Sequence, residues 1–221
     1  IILHDKKGYR IVFIKKIKLS YKMNLLTGLH IGASSDNVEI GGVDKIILRR
    51  RKDNVPYIPG SSLKGKMRSL LEQVAGVEVG ENPEINSVFG FARDKKPSKL
   101  IFRDSYFTVE SESELGKSDF TDMPYSEIKS ENSINRITGV ASNPRSIERL
   151  PAGVDFVVNI VINVWDNEKD GDKSLDMLKK GIAALENDYL GGSGSRGYGQ
   201  VKFTELKCED IPFDKYFENE K

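Results

Sequence analysis

The sequence predicts an α+β fold built on a ferredoxin-like βαββαβ core, and three observations predict it. Two stretches alternate apolar and polar residues with a period of two. Two others repeat apolar residues every three or four positions. With two weaker apolar runs added, the order along the chain is strand, helix, strand, strand, helix, strand. A chain of 221 residues is long for one domain of ~150 residues and short for two. The reading is therefore one domain over 1–221, with core segments at about 9–25, 59–109 and 154–206, insertions at 26–58 and 110–153, and an acidic tail at 207–221.

The first strand places Phe13, Ile17, Leu19, Tyr21, Met23 and Leu25 on odd positions, against Lys16, Lys18, Ser20, Lys22 and Asn24 on even ones, and only Lys15 breaks the odd face. A row of lysines on the solvent face blunts a sheet edge or tracks a phosphate backbone. After Pro59-Gly60-Ser61-Ser62 come Leu63, Met67, Leu70, Leu71 and Val74 at helical spacing, so an amphipathic helix with a serine cap is expected. Gly65 inside its first turns costs about 1 kcal/mol against alanine, which suggests close approach by another backbone or by a ligand. Leu100 to Val109 reads as the second strand. Val154 to Trp165 reads as the third, with Val154, Phe156, Val158, Ile160, Ile162 and Val164 on one face. Ser174 can cap a second helix carrying Leu175, Leu178, Ile182, Leu185 and Tyr189, stopped by Gly191; Gln200 to Leu206 forms the last strand. The second insertion contains a hairpin, with Ile134, Ile137 and Val140 before an Asn143-Pro144 turn and Ile147 and Leu150 after it, and its tip is basic through Arg136, Arg145 and Arg149.

Composition narrows the function classes. Apolar residues make up 38% of the chain and charged residues 30%, so the core is modest and the surface salty. No apolar run approaches the ~18 residues of a membrane span, and no charged-then-apolar leader opens the sequence; no membrane partner is expected, and the expected location is the cytoplasm. One cysteine, Cys208, and two histidines make neither an internal disulfide nor a Cys/His zinc cage. The net charge of +1 is uninformative, but Lys45 to Arg103 holds 13 Lys or Arg against 6 Asp or Glu. Such a basic window points to a partner with phosphates or to a solvated basic surface.

The densest motif is Gly191-Gly192-Ser193-Gly194-Ser195-Arg196-Gly197-Tyr198-Gly199, between a helix and a strand. It is neither a Walker loop nor a dinucleotide fingerprint, because it leaves a helix and leads into a strand. It reads as a flexible connector or as a loop whose amides face a polyanion, with Arg196 as the cation and Tyr198 as the stacking face. At the start of the first helix, Ser61 and Ser62 offer hydroxyls and amides to an anion, and Lys64 and Arg68 share a face with Lys66 close by. Candidates for chemistry are the carboxylates in Gly28-Leu29-His30-Ile31-Gly32-Ala33-Ser34-Ser35-Asp36 and Ile40-Gly41-Gly42-Val43-Asp44. Beside a phosphodiester, such a carboxylate can hold a divalent cation or accept a proton, and His30 can transfer one. An aspartate after glycines is otherwise a turn residue. Asp104 reads as an ion-pair or turn partner.

These segments, taken in order with Leu100-Ile101-Phe102-Arg103-Asp104, Glu131-Asn132-Ser133-Ile134-Asn135-Arg136-Ile137-Thr138, Asn143-Pro144-Arg145 and Asp188-Tyr189-Leu190, closely resemble the repeating backbone subunit of the type III-A CRISPR (Csm) effector complex, in the RAMP superfamily. The resemblance runs from about Ile17 to Phe203. It implies an RRM-like core, a lid-like first insertion and a thumb as the second. Its implied partners are the CRISPR guide RNA, the target RNA, further copies of the chain in a filament, and other Csm subunits. It also implies endoribonuclease activity that cuts the paired target at six-nucleotide intervals, with Asp44 as the catalytic residue. The attack would come from the target's own 2′-hydroxyl and require a divalent cation, Mg2+ or Mn2+, with no organic cofactor; Asp44 would bind the metal or take the proton. Residues implied to hold RNA are His30, Arg49, Ser61, Ser62, Lys64, Lys66, Arg68, Arg136, Arg145, Gly194, Ser195 and Arg196. The run Gly32-Ala33-Ser34-Ser35-Asp36 is longer than the Gly-Gly-Ser-Asp of many relatives, so no role is carried to Asp36. Two other readings of the same residues are a non-catalytic guide-RNA-binding filament subunit and, less compatible with the missing Walker pattern, a nucleotide-binding enzyme.

Overall fold

The computed structural model describes residues 2–4, 10–33, 43–93, 95, 97–166, 171–213 and 215. In chain order these form β1 (Ile2–His4), β2 (Arg10–Leu25), α1 (Gly60–Val74), α2 (Pro83–Phe89), β3 (Leu100–Phe102), β4 (Tyr106–Phe107), α3 (Val109–Gly116), β5 (Glu127–Ile134), β6 (Ala141–Arg149), β7 (Asp155–Trp165), α4 (Asp172–Glu186) and β8 (Val201–Pro212). The main sheet is antiparallel. β2 lies between β8 and β7, and β7 pairs on its far side with β3 and β4. A separate two-stranded sheet joins β5 and β6. Among the described residues no helix is long and apolar enough to cross a membrane.

Alternation explains the core. Ile17, Leu19, Tyr21, Met23 and Leu25 from β2 and Phe156, Val158, Ile160, Ile162 and Val164 from β7 are buried on the face that receives Leu63, Met67, Leu70 and Leu71 of α1 and Leu178, Ile182 and Leu185 of α4. A bulge between Phe13 and Lys15 interrupts the pattern. One extra residue inverts the alternation, so Phe13 pairs with Trp165 and meets its ring edge-on at 5.4 Å, away from the core face. Lys15, on the core side of the bulge, reaches Asp210 at 2.8 Å.

Several expectations are corrected by tertiary partners. β2 is a central strand, so its lysines do not guard an edge; Lys22 pairs with Glu205 at 2.7 Å and Lys18 lies 3.9 Å from Glu209. Those acids belong to β8, which continues to Pro212 where an acidic tail was expected from 207; Asp214, Glu218 and Glu220 lie outside the described residues. The cap of α1 is not a serine: Gly60 N–H donates to Asp104 Oδ1 at 2.9 Å. Val74 ends α1 80% exposed, and no atom comes within 4 Å of a Cβ built on Gly65. The second strand breaks at 103–105, and α3 starts at Val109 behind a Thr108 cap. The start of α4 is capped by Gly171, Ser174 is buried within its first turn, and the helix ends before Tyr189 and Gly191. The hairpin turns at 135–140; Asn143 and Pro144 sit within β6 at a register shift opposite Asn132, a bulge that tolerates proline's missing donor.

Phe156 lies at the centre of this packing, 0% exposed with its ring 4.4 Å from that of Phe107. Truncating it to alanine should cost about 3–5 kcal/mol in urea denaturation; a cost below about 1 kcal/mol would mean that the sheet–helix core is not packed as described.

Candidate active site

Three short stretches meet at the base of the β5–β6 hairpin. Leu29 bridges to Leu150, Gly32 to Ile47, and Lys45 to Ile147, so residues 28–33 and 44–49 are laced to one another and to the end of β6. Asp44 is held twice by a single residue of β6. Its N–H donates to the Ser146 carbonyl at 3.1 Å, and its Oδ2 accepts from the Ser146 N–H at 2.7 Å. The carboxylate is otherwise exposed, and among the described residues its Oδ1 takes no hydrogen bond. His30 is buried nearby and its Nδ1 donates to the Glu148 carbonyl at 2.7 Å, so Nδ1 carries a proton and the ring is held in one orientation.

A buried carboxylate organises this base. Glu148 is 1% exposed; its Oε1 accepts from the Ser126 hydroxyl at 2.6 Å and from the Arg49 guanidinium, and its Oε2 accepts from the Ile47 N–H at 2.9 Å. Arg49 also donates to the Asn54 carbonyl. Its guanidinium therefore pairs with Glu148 inside the protein and is largely committed to partners within the chain.

The glycine loop packs against the same base and is no loose connector. Gly192 N–H donates to the His30 carbonyl and Gly199 N–H to that of Gly28, both at 2.9 Å. Gly191 and Gly199 have φ of 75° and 74°, and a Cβ would stand 2.3 Å from the His30 oxygen at the first and 2.0 Å from the Leu190 oxygen at the second; only glycine suits both. Tyr198 is not a stacking face. It is 1% exposed, donates its hydroxyl to Glu131 Oε1 at 2.8 Å, and lies with Lys129 and Arg149 4.5 and 4.9 Å from its ring centre. Arg196 remains half exposed and binds Glu131 and Ser193. Burial, then the Glu131 hydrogen bond and charge, push the Tyr198 phenol up to about 12, and the Tyr198 bond holds Glu131 below its usual range.

The basic side chains of α1 divide by their partners. Arg68 donates to Glu72, Asn86 and the Gly90 carbonyl, joining α1 to α2. Lys66 pairs with Asp188 and lies 3.7 Å from the centre of the Tyr189 ring, which brings α1 beside the glycine loop. Lys64 has neither partner; burial, then the Arg68 charge, lowers its affinity for its proton. Ser61 is exposed and Ser62 half-buried at the helix start. A shallow cavity of about 420 Å3 opens between Thr27, Asp188, Tyr189, Gly194, Ser195 and Gln200. Arg136 is exposed in the hairpin turn, and Arg145 reaches only Ser133 at 3.5 Å. The structure thus gathers Asp44, His30 and the glycine loop around one hairpin base, with α1 adjoining the loop, and leaves Arg136 out along the hairpin. Asp36, Gly41 and Gly42 lie outside the described residues.

Sequence reasoning missed Glu148, Ser126 and the Glu131–Tyr198 pair. A glutamate set between Ile147 and Leu150, beside Arg149, was the available signal for a buried charge. Among the described residues no three His, Cys, Asp or Glu side chains gather as a metal cage.

A model of the RAMP superfamily matches residues 22–202. The chain is 42% identical to the CRISPR system Cms endoribonuclease Csm3 of Streptococcus thermophilus over 89% of this chain and 90% of that protein. It is 40% identical to the protein of the same name from Methanothermobacter thermautotrophicus, over 86% and 84%. A chain in the Csm3–Csm4 subcomplex of the type III-A CRISPR-Cas interference complex shares the fold with a TM-score of 0.57 at 31% identity, covering 94% of this chain and 85% of that one. A chain of the type III-B Cmr-beta complex bound to cognate target RNA, 21% identical, shares the fold with a TM-score of 0.61 over 90% of this chain and 61% of that one. The chain belongs to the RAMP superfamily and, within it, to the Csm3 family.

Because the Tyr198 phenol is raised from 10.0 to about 12 in the folded chain, the stability it contributes is complete below pH 10 and is lost as pH climbs toward about 12, where the unfolded chain has already released its proton. Tyr198→Phe should lower stability near neutrality and flatten this alkaline decline. Denaturant melts of both proteins across that window test it; parallel declines would remove Tyr198 as the cause.

Proposed function

We propose that this chain is the repeating backbone subunit of a type III-A CRISPR ribonucleoprotein, working in the cytoplasm with guide RNA, target RNA, other Csm subunits and further copies of itself in a filament. It cleaves the paired target RNA at Asp44. The observation that carries the reading is the placement of Asp44: an exposed carboxylate pinned by one oxygen to the hairpin base, with its other oxygen taking no hydrogen bond among the described residues. The sheet order β8–β2–β7–β3, with α1 and α4 on one face, supports a ferredoxin-like (RRM-like) core, and the β5–β6 hairpin takes the thumb's place.

In this reading the hairpin splays one target nucleotide, freeing its 2′-oxygen to line up with the adjacent phosphorus and the leaving 5′-oxygen. Alignment of this kind accounts for much of the rate gain in intramolecular attack. The P–O5′ bond breaks as the 2′-oxygen bonds phosphorus and gives up its proton, and the leaving 5′-oxygen takes a proton from water, giving a cyclic phosphate and a 5′-hydroxyl. Asp44 Oδ1 either takes the 2′-OH proton or offers one donor to a divalent cation. One carboxylate together with RNA phosphate oxygens is a donor set that Mg2+ accepts, and the cation would supply charge stabilisation at the phosphoryl oxygens. His30, locked against Glu148, shapes the same floor. The loop at Gly194, Ser195 and Arg196 and the α1 start at Ser61, Ser62, Lys64 and Lys66 hold the guide backbone without reading its sequence.

Asp44→Ala should leave guide assembly and target capture intact and lower the rate of target cutting by about 10²- to 10⁴-fold, measured on end-labelled target with Mg2+ or Mn2+. Cutting at the wild-type rate would sink the catalytic reading. The hydrogen bond from Ser146 to Asp44 favours a second, structural reading, a non-catalytic filament subunit, for which the wild-type assembly would show no metal-dependent cleavage at all. Lys64→Ala should flatten the slope of log affinity against log salt for guide RNA by about one. Arg68→Ala should leave that slope unchanged and destabilise the α1–α2 contact; the reverse pattern would exchange their roles.

A further inference from the structure

We propose that the open face of the main sheet carries a phosphate-binding site formed by a row of four side chains: Lys207 of β8, Ser20 of β2, Asn159 of β7 and Arg103, the residue that follows β3. The register places them in line. Ser20 pairs with Lys207 on one side and with Asn159 on the other, and Arg103 N–H donates to the Asn159 carbonyl at 3.0 Å. Directly paired residues share a face of a sheet. Ser20 and Asn159 alternate with Leu19, Tyr21, Val158 and Ile160, all of which point into the helix-covered core, so the row stands on the opposite, uncovered side. Strands lie about 4.8 Å apart, which sets the ammonium-bearing and guanidinium-bearing residues roughly 14 Å apart with a hydroxyl and an amide between them.

A cavity of about 500 Å3 opens over this row, lined also by Lys18 and Glu209. Elsewhere on the sheet the cations are occupied: Lys15 is bonded to Asp210 and Lys22 to Glu205. Among the described residues, Lys207, Arg103, Ser20 and Asn159 make no side-chain hydrogen bond or ion pair. Glu209 is the single carboxylate facing three cations in the cavity, and it sits 3.9 Å from Lys18, at the far limit of an ion pair. An uncommitted guanidinium fork, an ammonium and two neutral donors converging on one hollow form the donor set for phosphoryl oxygens. No aromatic ring lines the cavity, so the row offers nothing for a base to stack upon, and the phosphate is the group it recognises. None of these residues belongs to the Asp44 site or the glycine loop. The shared chemistry admits two sources, the sugar-phosphate backbone of RNA and a free phosphoryl anion.

The test is chemical-shift titration of the full chain with pyrophosphate and, separately, with a short oligouridylate, following the Ser20 amide and the Asn159 side-chain amide. Saturable shifts at both with pyrophosphate identify a free-anion site, and shifts with the oligonucleotide alone identify a site for RNA backbone. In the Arg103→Gln, Lys207→Gln double variant, affinity at these resonances should fall at least about tenfold, while the charge-preserving Arg103→Lys, Lys207→Arg variant should retain it. Both side chains are exposed, so thermal unfolding should not move. Absence of shifts with either probe overturns the proposal, as does equal binding of acetate or undiminished binding by the glutamine variant.

Discussion

Glu148 carries the charge on which the architecture of the site depends. A carboxylate removed from water costs several kcal/mol unless it is paired and hydrogen-bonded on every side, and here Arg49, Ser126 and the Ile47 amide meet that demand from three different parts of the chain. The side chain belongs to the returning strand of the hairpin, Arg49 and Ile47 to the stretch that contains Asp44, and Ser126 to the approach to β5. Its own backbone serves too, accepting from His30 and donating to Lys45. Satisfying one buried charge therefore fixes where the hairpin leaves the body of the protein, and with it the positions of Asp44 and His30.

The glycine loop is the second wall of that base and depends on the first. Its amides bond to the carbonyls of Gly28 and His30, and its Tyr198 is held by Glu131 from β5. Loop and hairpin are thus joined by a phenol–carboxylate bond under two cations. A loop rich in glycine is here rigid, because the missing Cβ atoms allow backbones to touch at distances that any side chain would prevent.

Charge on the sheet follows a similar logic of pairing. The lysines of β2 face acids of β8, Lys22 with Glu205 and, beyond Leu206, Lys18 with Glu209 and Lys15 with Asp210, so the acidic stretch at 207–212 is absorbed into the fold as a strand. In the middle of the sheet this neutralisation stops, at the row around Ser20. The bulge at Glu205, where a non-glycine residue takes a φ of 53°, shifts the register of β8 at that point and decides which of its side chains stand opposite which of β2's.

The sequence by itself determined the elements with strong periodicity. The period-two runs of β2 and β7 and the helical stripe of α1 were legible because burial of one face imposes that spacing whatever the neighbours are. So were Asp44, His30 and the glycine loop as candidates, through the ordered motifs that carry the family resemblance. Only the tertiary structure decided the rest. Whether a given cation is free or spent depends on residues distant in the chain, Arg49 on Glu148 and Arg68 on Asn86 and Gly90, and so does the cap of α1, which comes from Asp104. The inversion of Phe13, the Asn143-Pro144 bulge and the length of β8 likewise follow from pairing partners. Local spacing records which face of an element meets the core, whereas charge pairing and register are set between segments, where a linear pattern carries no distance.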